Sequence, residues 1–208
     1  TATNPETTAF IELRRDEAHD AGRSFTLRRR WVPYGRISNH LKRAVIAAED
    51  GAFFQHEGLD YNQIRESIED SLEDGGAIRG ASTITQQLVR NVLFDYEYRT
   101  ERSVQRKVEE ILLAFLLRQR KSPEEVLELY LNEIYYGNLS YGAEAAAYTF
   151  FGKTVSQLTL GESALLAALP QAPANLDLLS PDPDVQNAVE SRWRLVLAVL
   201  WVAVLVSA

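Results

Sequence analysis

Two adjacent carboxylates, Glu49 and Asp50, stand near the start of a stretch that also carries aromatic residues and a histidine, AAEDGAFFQHEGLD at 47–60. An apolar core does not accept an unpaired acid or a histidine without a hydrogen-bond partner, and a surface turn has no need of phenylalanines. We interpret Glu49 as a candidate catalytic base that the rest of the stretch, including Phe53 and His56, holds in place. The alternative is structural: Glu49 meets a backbone N–H or an arginine, Phe53 belongs to the core, and His56 is a hydrogen-bonded turn residue.

A second acid, Glu110, follows Arg106 by four residues in a segment predicted to be helical from Ser103 to Gln119. At 100° per residue, Arg106 and Glu110 share a face about 200–240° away from the apolar stripe of this helix. Paired carboxylates are typical of chemistry at an anomeric carbon. The alternative for this face, including Lys107, is an exposed ion pair that contributes roughly 0.2–0.5 kcal/mol. The predicted apolar stripe consists of Val104, Val108, Ile111 and Phe115.

The segment GASTITQQ, residues 80–87, is a candidate anion-binding site. A glycine ahead of a capped helix lets the backbone approach a ligand closely, and the free N–H groups of the first turn suit an anion. We predict Ser82 as the N-cap of this helix. The alternative is a well-capped helix with a glutamine face and no ligand. The candidate ligand contacts are Ser82, Thr83, Gln86, Gln87 and Arg90.

The composition limits the class of function. The chain has 208 residues, of which 46% are hydrophobic and 25% are charged, as is typical of a globular protein. Its formal net charge of −7 argues against a nucleic-acid partner, because such binding depends on basic residues that face phosphates. The absence of cysteine excludes disulfides and thiolate zinc sites, and the three histidines lack the spacing of metal ligands.

Helical periodicity dominates most of the chain and no alternating stretch predicts a strand, so the sequence predicts a mainly α domain. Residues 1–35 look irregular. Ser38 or Asn39 is predicted to cap a helix that ends near Gly51, with Glu49 and Asp50 in its last turn. Further helices are predicted at residues 61–72, 82–92, 103–119, 122–135, 141–152 and 159–170.

The C-terminal run LVLAVLWVAVLVSA, residues 195–208, is almost entirely apolar. It is shorter than the ~20 apolar residues that a membrane-spanning helix needs. We predict a buried closing helix, and the alternative is an interfacial anchor that begins after Arg192 and Arg194.

Several motifs occur in the order seen in bacterial peptidoglycan glycosyltransferases. They are EDGAFFQHEGLD, GASTITQQLVRN, RKVEE, LELYLNEIYYG, GAEAAAYTFFGK and LTLGESALLAALPQAP, all between residues 30 and 178. The chain therefore resembles glycosyltransferase family 51, which forms the polymerising domain of class A penicillin-binding proteins and also stand-alone monofunctional enzymes. RRRWVPYGRIS looks like the monofunctional enzymes and ELYLNEIYYGNLSYG like the bifunctional ones, so both subtypes stay open.

The resemblance implies a lysozyme-like helical domain, with a large and a small lobe, at the outer face of the bacterial cytoplasmic membrane. We expect an N-terminal segment at 1–35, a catalytic domain at 36–180 and a C-terminal helix with an apolar run at 181–208. The implied substrates are lipid II and the growing glycan strand, and the implied partners are the membrane surface and other cell-wall synthesis proteins. The acceptor's 4-hydroxyl would attack C1 of the donor with inversion, and polyprenyl pyrophosphate would leave.

The resemblance also implies roles for single residues. Glu49 corresponds to the general base, and Asp50 belongs to the group that supports it. Arg106 would steady the phosphates. Glu110 would bind a divalent cation, Mg²⁺ or Mn²⁺, at the pyrophosphate or orient groups around the reacting sugar, and no organic cofactor is expected. The residues expected to contact or support the substrate are Asp50, Phe53, His56, Ser82, Thr83, Gln86, Gln87, Arg90, Arg106 and Lys107.

Two departures from the family pattern concern charge. Lysine is usual where Arg90 stands, and the segment between the first two motifs carries acids such as Glu66, Glu69 and Asp70, which argue against deep membrane insertion there. The competing functions are a glycan-cleaving enzyme on a lysozyme-like scaffold and a non-catalytic module that binds lipid II or the cell wall. Hydrolysis has no need of phosphate-binding arginines, so the sequence favours the transferase.

Overall fold

The computed structural model describes residues 9–20, 22, 30–66, 82–101, 103–172 and 175–206. In chain order, its α-helices are α1 (Ala9–Asp20), α2 (Asn39–Glu49), α3 (Ile84–Leu93), α4 (Tyr96–Thr100), α5 (Val104–Arg118), α6 (Pro123–Glu133), α7 (Ala143–Phe151), α8 (Leu160–Ala168) and α9 (Pro183–Val206). Residues 61–66 are also helical, and Tyr34–Arg36 and Val155–Gln157 form short 3-10 helices. The described residues contain no sheet and a single isolated bridge, so the mainly α prediction is confirmed.

Side-chain caps define where several of the predicted helices begin. Ser38 caps α2 and Ser103 caps α5, each by accepting a hydrogen bond from a backbone N–H of the first turn. The helix predicted from residue 122 begins with a capping box between Ser122 and Glu125 at the start of α6, with Pro123 as the first helical residue. These starts match the predicted ones because a cap and its partner are close in sequence.

The N-cap of α3 lies one residue later than predicted. The N-cap is Thr83, whose Oγ1 accepts the N–H of Gln86 at 3.2 Å, while Oε1 of Gln86 accepts the N–H of Thr83 at 3.0 Å. This reciprocal bond needs a glutamine three residues after the cap, and the residue three positions after Ser82 is Thr85. Ser82 instead contacts Lys107 of α5.

The prediction of an irregular N-terminal segment is wrong for residues 9–20, which form α1. The segment carries strong helix formers, namely Ala, Leu, Glu and Arg, and Ile11 is fully buried. The helix packs against α3 and α4. Because α1 is mostly polar, a search for helices with broad apolar faces does not find it. The rest of the predicted helix at 61–72, after residue 66, lies outside the described residues.

Helix packing brings the end of α2 against α3. The helix α2 packs on α8 and α9, while α3 packs on both α5 and α6. Leu41 of α2 and Leu88 of α3 belong to the same hydrophobic core, and burial of such a side chain contributes about 1.5–3 kcal/mol. Asp50 forms the C-cap of α2, and its carboxylate accepts the N–H of Ile84, the first residue of α3. Glu49, the last residue of α2, is thereby held beside α3.

The amphipathic helix α5 has the predicted position but the opposite orientation. Val104 is 83% exposed and Val108 is 56% exposed, whereas the buried residues of α5 are Glu110 and Ala114. The reason is that α3 covers the polar side of α5 and brings Arg90 to Glu110. The exposed side, here called the α5 apolar face, consists of Val104, Val108, Leu112, Phe115 and Leu116.

The last helix, α9, packs on the main core, so the predicted closing helix is confirmed for one side of the apolar run, while the other side is exposed. Val189, Val196 and Leu200 are buried in the core that includes α2, and the indole N–H of Trp193 donates to the carbonyl of Gly161 at 3.0 Å. Within the part of the chain that the structure describes, no helix combines the length and the apolarity needed to cross a bilayer. The exposed apolar residues of α9 are Leu195, Val199, Trp201 and Val202.

Candidate active site

The side chain of Glu49 turns from the end of α2 toward α3. Its Oε2 accepts a hydrogen bond from Nε2 of Gln87 at 2.9 Å. Its Oε1 is buried and has no hydrogen-bond partner among the described residues. One oxygen of the carboxylate is therefore fixed by Gln87, and the other is a buried acceptor without a hydrogen bond.

The surroundings of Glu49 raise its pKa above the usual value of a glutamic acid. Burial is the largest cause, because it disfavours the charged form, and the charge of Asp50 acts in the same direction. The hydrogen bond from Gln87 and the charges of Arg192 and Arg90 act in the opposite direction and stabilise the carboxylate. Such a group binds a proton more readily than a free glutamate does, which suits a general base.

Asp50 and His56 form a support behind Glu49. Nδ1 of His56 accepts the N–H of Gly58 at 3.1 Å, so Nε2 carries the proton and donates it to Oδ1 of Asp50 at 2.8 Å. The second oxygen of Asp50, Oδ2, accepts the N–H of Ile84 at 3.0 Å. The network therefore ties the residue after Glu49 to the start of α3 and fixes the position of the candidate base.

Four of the residues expected to contact or support the substrate are buried inside the fold, namely Asp50, Phe53, Thr83 and Gln86. Phe53 has no exposed surface and belongs to the main core. Thr83 and Gln86 are also buried, and their side chains form the capping box of α3. Thr83 Oγ1 also donates to the carbonyl of Gly58 at 2.7 Å. In this structure the side chain of Phe53 packs in the core, and those of Thr83 and Gln86 hydrogen-bond within the protein.

The second acid, Glu110, is surrounded by positive charge. Its Oε2 lies 2.7 Å from Nη1 of Arg106 and 3.6 Å from Nη1 of Arg90, and its Oε1 lies 2.6 Å from Nζ of Lys107. The side chain of Glu110 is 0% exposed, so the alternative of an exposed ion pair is wrong. Three cations share one carboxylate, and the cluster keeps an excess of positive charge.

The helix α3 connects the two acids. Gln87 binds Glu49, and Arg90, three residues later, lies next to Glu110. Residues three apart share a face of a helix, so the two acids meet α3 within about one helical turn of 5.4 Å. The charge of Arg90 also lowers the pKa of Glu49. Glu49 and the cluster around Glu110 therefore lie beside the same turn of α3.

The cations of the cluster are held in place by further hydrogen bonds. Nζ of Lys107 donates to Oγ of Ser82 at 3.1 Å, and Nε of Arg106 donates to the carbonyl of Glu101 at 2.7 Å. The side chains of Arg90 and Lys107 are 28% and 37% exposed, in contrast to Glu110. Their positive charge is therefore accessible from solvent, as an anion-binding site requires.

Two arginines near the site were not predicted from the sequence. Arg192 of α9 lies close enough to Glu49 for its charge to lower the pKa of that acid. Arg99 of α4 has a lowered pKa, first because of burial and second because of the charge of Arg90. No spacing rule marks either residue, since each reaches the site from a different helix.

The contacts of Glu110 do not fit a divalent ion. Both of its oxygens lie within 2.7 Å of a cationic nitrogen, whereas Mg²⁺ is bound by carboxylates together with waters or phosphates. Among the described residues, the one group of three candidate metal ligands is Asp50, His56 and Asp60. Both oxygens of Asp50, both ring nitrogens of His56 and Oδ1 of Asp60 already serve hydrogen bonds within the protein. Neither place offers the set of free oxygens that Mg²⁺ or Mn²⁺ prefers.

A separate cavity of about 680 Å³ lies at the opposite end of α2 from Glu49. Residues 35–40 and 156–159 line it, and none of them is acidic. The length of α2 places this cavity about 15 Å from Glu49. The cavity therefore lacks the groups for the chemistry that Glu49 and Glu110 can perform.

Comparison with known proteins finds relatives over most of the chain. The family described as Transglycosylase matches residues 18–200. A biosynthetic peptidoglycan transglycosylase of Nitrosospira multiformis is 39% identical over 174 residues, which cover 84% of this chain and 74% of the relative. A protein of the same name from Azoarcus sp. is 41% identical over 166 residues, which cover 80% and 70%.

Proposed function

The chain belongs to the transglycosylase family, and from this premise we propose that it polymerises lipid II into β-1,4-linked glycan strands. Its class of activity, peptidoglycan glycosyltransferase, follows from the family. In the proposed reaction, the 4-hydroxyl of the acceptor N-acetylglucosamine attacks C1 of the donor N-acetylmuramic acid. The configuration at C1 inverts from α to β, and polyprenyl pyrophosphate leaves.

Glu49 is the general base of this reaction. The acceptor hydroxyl gives its proton to Oε1 of Glu49, the oxygen without a hydrogen-bond partner among the described residues. The hydroxyl oxygen forms the new bond to C1 as the bond from C1 to the pyrophosphate oxygen breaks. A positioned base contributes about 10²–10⁴-fold to such a step. Gln87 occupies Oε2, so Oε1 is the atom that accepts the proton.

The cations around Glu110 bind the leaving pyrophosphate. The leaving group takes both electrons of the broken bond, so negative charge grows on it in the transition state, where preorganised cations stabilise it. Arg90 and Lys107 are partly exposed and can reach phosphate oxygens. Glu110 holds these side chains and Arg106 at fixed positions and prevents their mutual repulsion from spreading them.

The observation that best supports this function is the convergence, on one face of α3, of a partly satisfied carboxylate and an excess of cations. A glycan-cleaving enzyme also uses two carboxylates, but cleavage between sugars releases no pyrophosphate and needs no cation cluster. A binding module needs the cations but not a carboxylate that a glutamine of the same helix holds beside them.

The α5 apolar face supports action at a lipid surface. Peptidoglycan synthesis takes place in the cell envelope, and we assign the domain to the outer face of the cytoplasmic membrane because lipid II carries a polyprenyl chain. On α5 the apolar face lies opposite Glu110 and its cations, so the two sides of this helix match the lipid and the phosphate parts of one substrate. The growing strand and other cell-wall synthesis proteins are the further proposed partners.

Incubation with labelled lipid II, followed by gel separation of the products, tests the proposed function. The expected result is chain growth with wild-type protein and none with Glu49→Gln, while finished peptidoglycan stays uncut. Cleavage of finished peptidoglycan without chain growth would establish the hydrolase. Binding of lipid II without any turnover would establish the binding module.

A further inference from the structure

A buried tyrosine lies behind the candidate base. Tyr130 of α6 is 1% exposed, and its hydroxyl donates to Oε1 of Gln87 at 3.1 Å. The other end of the same amide, Nε2, donates to Oε2 of Glu49 at 2.9 Å and to the carbonyl of Ser82 at 3.4 Å. One chain of hydrogen bonds therefore joins α6, α3 and α2 and ends on the carboxylate of Glu49.

The amide of Gln87 fits this chain in one orientation. The two ends of an amide are similar in size, but only the nitrogen donates hydrogen bonds. In the reversed orientation, the carbonyl oxygen of Gln87 would face the carboxylate of Glu49 and the carbonyl of Ser82, with no proton between them. The hydroxyl of Tyr130 favours the observed orientation from the other side, because a buried hydroxyl needs an acceptor for its proton.

We propose that Tyr130 is a positioning residue for glycosyl transfer and that it acts on Glu49 through Gln87. The hydroxyl of Tyr130 pins the amide, and the pinned amide keeps Oε2 of Glu49 occupied and directs Oε1 toward the acceptor sugar. This inference rests on the proposed function, in which Glu49 is the base. Tyr130 is too deeply buried to touch a sugar, so its effect must pass through Gln87.

The electrostatics of the site predict the direction of the effect. Burial and the charge of Glu49 raise the pKa of both Tyr130 and Tyr136, so both hydroxyls stay neutral. The hydrogen bond from Gln87 favours the ionised form of Glu49, and loosening of Gln87 therefore raises the pKa of Glu49. The groups that face Glu49 are Asp50 on the C-cap of α2, Arg90 on α3, Arg192 on α9, and the hydroxyls of Tyr130 and Tyr136.

The variant Tyr130→Phe removes the hydroxyl and keeps the ring. We expect kcat for polymerisation to fall about three- to tenfold, as for the loss of one hydrogen bond, with KM little changed. The acidic limb of the pH–rate profile should move to higher pH. In the background of Gln87→Met, Tyr130→Phe should have no further effect, because the hydroxyl then has no amide to position.

The matched control is Tyr141→Phe. Tyr141 is as deeply buried as Tyr130, but its ring packs against Tyr135 and it is not among the groups that shift the pKa of Glu49. This variant should leave kcat and the pH profile as in the wild type. Additive effects of Tyr130→Phe and Gln87→Met, or an equal shift of the pH profile in Tyr141→Phe, would overturn the proposal.

Titration of the Glu49 carboxyl carbon by NMR, assigned with Glu49→Gln, separates this inference from the proposed function. A raised pKa of Glu49 in Tyr130→Phe supports the link even if Glu49→Gln polymerised lipid II, and in that case the base assignment alone would fail. An unchanged pKa would reject the link. If Tyr130→Phe does not fold, the chemical shift of the Tyr130 Cζ carbon is compared between the wild type and Gln87→Met instead. This chemical shift should change in Gln87→Met, and an unchanged value would reject the link.

Discussion

Glu49 and Glu110 are two largely buried acids beside one turn of α3, yet their surroundings are opposite. Glu49 has one amide donor and an oxygen without a partner among the described residues, and burial raises its pKa. Glu110 has three cationic side chains on its two oxygens. A proton acceptor needs an available lone pair, whereas an acid that organises cations uses all of its oxygens. The partners of a buried acid therefore indicate its role better than its residue type does.

The two environments also have opposite consequences for stability. Desolvation makes the ionised form of Glu49 unfavourable in the folded state, so loss of its charge should stabilise the fold. Glu110 neutralises cations that would otherwise repel one another, so loss of its charge should destabilise the fold. The contrast is open to tests of activity, binding, stability and pH dependence.

The largest expected effect is on the turnover of Glu49→Gln. Glutamine keeps the size of the side chain but does not accept the proton, so the initial rate of polymerisation should fall about 10²–10⁴-fold. Binding of lipid II should persist, because the cations around Glu110 are unchanged. The measurements are initial rates with labelled lipid II and a fluorescence binding assay. A rate within tenfold of the wild type would mean that Glu49 is not the base.

Glu110→Gln should show the next largest effect. It should destabilise the fold, whereas Glu49→Gln should stabilise it. Removal of the common partner of Arg90, Arg106 and Lys107 should lower the free energy of unfolding by about 3–5 kcal/mol. Urea unfolding of Glu49→Gln and Glu110→Gln side by side measures both signs. If the free energy of unfolding changed with the same sign in both variants, the two carboxylates would not have opposite effects on stability.

Arg106→Ala should weaken binding of the donor by about tenfold, the effect of one charged hydrogen bond, and should also slow turnover. The matched control is Arg194→Ala, because Arg194 forms the same i,i+4 pair with Glu190 at 2.6 Å but is 73% exposed, against 12% for Arg106. The control should change the free energy of unfolding by less than about 0.5 kcal/mol and leave turnover unchanged. Equal effects of the two variants on binding would remove the distinction between the buried and the exposed pair.

The smallest effect concerns pH. The folded-state pKa of Glu49 is raised, so the folded protein binds more protons than the unfolded chain between the two pKa values, and stability falls as pH rises through that interval. Glu49→Gln should therefore unfold at a higher temperature than the wild type at pH 7. The difference should shrink as pH is lowered to about 4. A difference that stays constant with pH would show that Glu49 titrates as in an unfolded chain.

Local signals predicted where helices begin but not which face of a helix is covered. Ser38, Ser103 and Ser122 could be predicted because a cap binds a backbone group in its own first turn. The orientation of α5 could not, because periodicity places Val104 and Val108 on one face without saying which neighbour covers the other. That choice depends on α3, which delivers Arg90 to Glu110 from a distant part of the chain.

The residues of the candidate site also fall into those with a local sequence signal and those without one. The capping box at Thr83 had a local signal, the glutamine three residues later, that distinguishes it from Ser82. Arg192 and Tyr130 had none, because they reach Glu49 and Gln87 from α9 and α6 only after the helices pack. Residue types and spacing marked Glu49 and Glu110 as candidates, and the resemblance to a family implied their roles, but neither indicated how differently the two acids are surrounded.

The width of α5 sets the distance between its apolar face and the cations around Glu110. An α-helix with its side chains is about 10–12 Å across, and the polar layer on each side of a bilayer is roughly 5–8 Å deep. With the α5 apolar face at the edge of the hydrocarbon, the Glu110 cations would stand at about the height of the lipid headgroups. On the proposed reaction, the spent carrier then slides away within the plane of the membrane, while the polysaccharide extends into the aqueous space above it.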